Sequence, residues 1–165
     1  LDFERWSTEG ARLGPTVRVA TGPPWRGGGD VAWDGTSWRV AWIDSDASGA
    51  FSLRVAQIDA GVGLVVDDRA LRASPAWLGL LDVARIGAGF IVAWTEAGSA
   101  AGLGVTGITR MAADGTGVDE IIIADVPADA ASLVWPGSEL AVAWTARVPG
   151  ERWVDVLVTR VGGCL

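Results

Sequence analysis

The chain has 165 residues, half of them apolar, and a net charge of −7. That is enough apolar residue for one domain with a sizeable core. The acidic balance and the lack of any basic run argue against nucleic acid or an anionic membrane surface as partner, since both demand concentrated positive charge, and no apolar run is long enough for a membrane-spanning helix.

Lys, Asn, Tyr and His are absent from the sequence, a bias that fits a GC-rich bacterial genome and also removes chemistry. Without His or Tyr there is no imidazole base, no Ser-His-Asp triad, no His metal ligand and no tyrosyl nucleophile. Cys164 is the sole cysteine, so it is either an inert residue near the end or half of a bridge to another chain or segment.

In chain order, residues 1–26 hold "FERWSTEGARLGPTVRVA", two short runs around a Gly-containing turn. Residues 27–75 begin with "DVAWDGTSWRVAWID", which alternates around an Asp-Gly turn as an antiparallel hairpin does, and continue with "FSLRVAQIDAGVGLVVDDRAL", two more β-rich runs. We label these four strands a, b, c and d. Residues 76–126 repeat the same order, and residues 127–165 repeat it without d. "WDGTSWRVAWID", "RIGAGFIVAWTE" and "WPGSELAVAWTA" align without gaps and place Trp42, Trp94 and Trp144 in register, 52 and 50 residues apart. Arg5, Gln57, Arg110 and Arg160 align in the c strands, so the first 26 residues correspond to strands c and d alone.

Four strands in about 50 residues, repeated with an apolar core position in each, are the mark of β-propeller blades. The expectation is an all-β fold of propeller-type four-stranded blades, about three and a quarter of them, forming a partial ring. The "vAWdGt.w.vaW" pattern, carried here by Trp33, Gly35, Trp42 and their equivalents, resembles propeller repeats of predicted secreted and cell-surface proteins of GC-rich bacteria. That resemblance implies an extracytoplasmic setting and no particular activity. Too few blades are present to close a ring, so the chain is expected to be a piece of a larger one, completed by other copies or by a companion fragment. The mid-blade start and the missing Met agree with that expectation.

Trp42, Trp94 and Trp144 are expected in the core, with Trp38, Phe90 and Leu140 beside them and Trp6 in an equivalent apolar position. Trp33 and Trp135 align with Arg85 and are expected between blades. Trp25 and Trp77 lie 52 residues apart in the d-to-a connections, on the same end of the ring as the b-to-c loops that carry Glu96, Arg152 and Trp153. An aromatic and charged rim of this kind suits a carbohydrate or peptide, whereas the alternative role for the two indoles is to wedge adjacent blades together.

"DSDASG" has the alternating oxygens of a calcium loop in Asp44, Asp46 and Ser48, and equally the composition of a plain turn. No other cofactor is indicated. Asp30 and Asp82 align in strand a, with Ser132 as third equivalent, and would either hold a ligand near the axis or bond a neighbouring backbone amide. Three functions are open: recognition by a non-catalytic module, assembly through the blade faces, or a carboxylate-based hydrolase or lyase completed by another chain.

Overall fold

The b segments of the repeat, such as "SWRVAWIDS" and "GFIVAWTE", are apolar at nearly every position, a composition suited to strands covered on both faces. The computed structural model describes residues 1–20, 28–61, 65–98, 104–125, 128–134, 139–147 and 154–161. Among these the fold is all-β, without helices. The strands are β1 (Asp2–Phe3), β2 (Val17–Arg18), β3 (Gly29–Trp33), β4 (Ser37–Ser45), β5 (Phe51–Asp59), β6 (Val65–Ser74), β7 (Leu78–Ile86), β8 (Gly89–Glu96), β9 (Val105–Met111), β10 (Gly117–Ala124), β11 (Ala128–Val134), β12 (Leu140–Arg147) and β13 (Val154–Val161).

They form four antiparallel sheets in chain order: β1-β2, β3-β4-β5-β6, β7-β8-β9-β10 and β11-β12-β13. Each sheet follows the a–b–c–d order, the first holding only c and d and the fourth only a, b and c. β3, β7 and β11 are the a strands, and Asp34 closes the first a-to-b turn. Its carboxylate accepts the Thr36 and Ser37 amides, both at 2.6 Å, and both hydroxyls, while Gly35 supplies the positive φ of 105°. Partial burial pushes the Asp34 carboxyl upward, but the Ser37 and Thr36 hydrogen bonds outweigh it and hold the carboxyl well below the usual range.

Three apolar layers fill the spaces between successive sheets. Phe3 and Val19 of the first sheet's segment pack on Val40, Trp42 and Ile58 of the second. Ile43, Leu53 and Val55 of the second sheet meet Val83, Phe90 and Trp94 of the third. Ile91 and Ile108 of the third sheet meet Leu133, Leu140 and Trp144 of the fourth. Trp42, Trp94 and Trp144 are therefore buried, as their register requires. The fit is close: a Cβ on Gly107, which faces Trp94 across the ladder, would lie 2.5 Å from the indole.

Trp6 departs from expectation. Its equivalents Ile58 and Met111 are buried beside Trp38 and Phe90 of a paired b strand, but Trp6 is exposed. The first sheet contains no b strand to lie beside it, and a single bridge to Arg12 holds its backbone. Trp33 packs on Trp38 of its own hairpin, with ring centroids 4.7 Å apart, and stays partly exposed.

Candidate functional site

The aligned aspartates of the a strands reach across to the next sheet. Asp30 on β3 accepts the Val83 amide of β7 through Oδ2 at 2.7 Å, and Asp82 on β7 accepts the Leu133 amide of β11 through Oδ2 at 2.6 Å. Asp82 Oδ1 also accepts the Val83 amide at 2.8 Å, so the two carboxylates converge on one N–H. Burial raises the Asp82 carboxyl above the usual range, and the neighbouring Asp30 carboxyl adds to it, only partly opposed by the Leu133 and Val83 amides. A proton shared between two acids is chemically useful when a substrate can reach it. Here each of the four carboxylate oxygens accepts a backbone amide, from Val31, Val83 or Leu133. Of the two roles open to these aspartates, bonding a neighbouring backbone amide is the one the geometry displays.

Other contacts tie the sheets together at the ends of the strands. Arg5 donates to the Ala60 carbonyl in the c-to-d turn of the second sheet. Arg39 does the same to Ala113 in the equivalent turn of the third, where Arg69 also donates to the Asp114 carbonyl at 2.6 Å. Arg39 is buried, with its guanidinium 5.5 Å from the Phe90 ring centroid, and burial lowers its basicity. The Asp114 carboxylate is exposed and caps its own turn through Thr116.

At the opposite end, the d-to-a connection of the third sheet meets its b-to-c loop: the Ala97 amide donates to the Trp77 carbonyl at 2.9 Å. The Trp77 residue is 46% exposed and its indole leans over its own strand, where a Cβ on Gly79 would come within 2.6 Å of the ring. Glu96, a candidate for ligand contact, already has partners. It accepts Ser74 Oγ at 2.5 Å and is paired with Arg72, whose guanidinium also holds Glu120 at 2.8 Å and stacks 4.2 Å from Trp94. Burial would raise Glu96, but Ser74 and Arg72 outweigh it and keep its carboxyl below the ordinary range. Trp25, Arg152 and Trp153, the remaining residues of that rim, lie outside the described residues.

In "DSDASG", Asp46 Oδ1 accepts the Ser48 amide at 2.8 Å, the Ser48 hydroxyl at 2.5 Å and the Ala50 amide at 3.1 Å, closing its turn on itself. Asp44 Oδ1 turns back to the Ser45 amide at 2.9 Å instead of joining Asp46. Among the described residues no group of three or more His, Cys, Asp or Glu is placed to hold a metal ion.

Sequence reasoning missed Arg72, the hub that joins second and third sheets. Its only sequence signal is a cation in a d strand, and its partners sit 24 and 48 residues further on. Bare apolar side chains at the two ends of the stack, by contrast, follow from the incomplete repeat: Val31 and Trp33 toward the first sheet, and Val134 and Val158 on the outer face of the fourth, are exposed. Among the described residues no helix is long and apolar enough to cross a membrane. The chain matches no family model, no curated protein and no solved structure.

Proposed function

We propose that this chain is a partial β-propeller whose role is assembly: its end sheets dock against further blades, supplied by other copies or by a companion fragment, in an extracytoplasmic bacterial protein of the kind its repeats resemble. The observation that carries this reading is the contrast between internal and terminal sheets. Equivalent c-strand positions are covered where a further sheet follows and bare on the fourth sheet, the last among the described residues. Val158 on the outer face of the fourth sheet is 68% exposed, and Val134 of the same sheet 57%, whereas Ile108 and Val55, which align with Val158, are buried. Exposed apolar surface on a repeated, otherwise covered face is a mark of an interaction site.

A carbohydrate or peptide at the Trp77 end is the second reading, favoured by that exposed indole. It has less support, because Glu96 is spent on Arg72 and Ser74. A hydrolase or lyase built on Asp30 and Asp82 has less again, since both carboxylates are engaged by backbone amides. A native mass spectrum, with a denatured spectrum beside it to identify each polypeptide, tests the assembly reading. A complex of several copies or of two different chains is expected, and a stable monomer at micromolar concentration overturns it.

A further inference from the structure

The inner-strand hydrogen bonds form a series with one term missing. Val83 and Leu133 occupy the same position of strand a, are 6% and 8% exposed, and each donates its amide to an aspartate of the preceding inner strand. Val31 is the third member of the set. It is 40% exposed, and its amide donates to Oδ1 of the adjoining Asp30 at 2.8 Å. Among the described residues no carboxylate from the first sheet reaches it, because that sheet consists of the outer strands β1 and β2 alone. Beside β1 and β2 is instead a cavity of about 240 Å³ whose lining includes Asp2, Phe3, Gly29, Asp30, Val31 and Val40, the Asp2 carboxylate being paired with Arg18. A second cavity of about 330 Å³ adjoins it, bounded by Trp6, Leu13 and Trp33.

We infer that this face receives a two-stranded β-hairpin from a non-identical polypeptide segment, whose inner strand carries an aspartate that accepts the Val31 amide. The inference rests on the assembly reading above and specifies the partner at one of its two ends. The occupant is two strands wide, since β1 and β2 already fill the c and d places of that sheet. It is apolar on the side that covers Val31, Val40 and Phe3, as the second sheet is where it covers Val83. It bears a carboxylate at the position aligned with Asp30 and Asp82.

A second copy of this chain fails on two of these counts. Its terminal inner strand, β11, has Ser132 at the aspartate position, and a hydroxyl on Cβ ends one bond short of a carboxylate oxygen. Its terminal sheet also brings its own c strand, β13, into the place held by β1.

The test uses the full chain preceded by a copy of its own residues 28–52 joined directly to Leu1, which keeps the 52-residue spacing of the repeat. A second version carries Asp30→Ser in the added copy only. Amide hydrogen exchange at Val31 is followed in both and in the unextended chain. The added hairpin should slow Val31 exchange, and the aspartate version should do so about tenfold more than the serine version, as a charge-assisted hydrogen bond requires. Equal slowing by both versions overturns recognition through the carboxylate and leaves the assembly reading standing. No slowing by either overturns both. Protection of Val31 in the unextended chain as its concentration is raised makes the occupant a second copy and overturns the inference.

Discussion

Asp82 serves two neighbours, accepting the Leu133 amide across the sheet boundary while lying against the Asp30 carboxyl. Because its folded-state carboxyl is shifted upward by burial and then by Asp30, folding favours the protonated form. Its contribution to stability is full below the ordinary carboxylate range and is lost as the pH rises through the shifted value. Asp82→Asn keeps an acceptor for Leu133 and offers an N–H to Asp30 without the charge. At pH 7 this variant is expected to unfold at the same or higher urea concentration than the unaltered chain, and the difference should shrink on acidification toward about pH 4. Asp82→Ala strands a buried amide and should cost about 1–3 kcal/mol in the same measurement. That the aspartates were paired positions was readable from their 52-residue spacing; that they meet on one amide was not, because alignment reports equivalence and not reach.

Between strands, the close fit is between Trp94 on β8 and Gly107 on β9, whose missing side chain makes room for the ring. Gly107→Ala would push the indole off Arg72 and off Thr109, to which Nε1 donates at 3.0 Å. Urea unfolding should register a loss of about 1–3 kcal/mol, the usual cost of overfilling a packed site. A surface Gly→Ala change, by contrast, commonly stabilises when the backbone permits it.

The a and b strands were legible because tryptophans recur in register around a short turn, and the c and d strands because β-branched runs follow at constant spacing. Three features were not. Trp6 aligns with core residues, but its burial needs a strand that is not beside it. Glu96 reads as a free rim acid because its partner Arg72 belongs to another sheet. Asp44, Asp46 and Ser48 have a calcium-like spacing because an Asx turn and a calcium loop both place side-chain oxygens at alternate positions, and here Asp46 spends its oxygen on the turn.

At the scale of the whole molecule, four sheets among the described residues enclose three apolar layers, and Val134 and Val158 stay bare on the fourth. Val158→Glu places a charge where Ile108 and Val55 are buried in the neighbouring sheets, so any docked blade would have to desolvate it. Native mass spectrometry should show the assembled fraction of this variant reduced at least about tenfold, with an unchanged far-ultraviolet circular dichroism spectrum, because the side chain lies outside the existing layers. Retention of the full assembly would place the interface elsewhere. The hydrogen bonds between the a strands also have a direction, each carboxylate reaching toward the next sheet and each amide facing the previous one. Two like faces brought together about a two-fold axis would oppose acceptor to acceptor or donor to donor. A partner that continues these bonds must therefore present its unlike face, a heterologous contact and never an isologous pair.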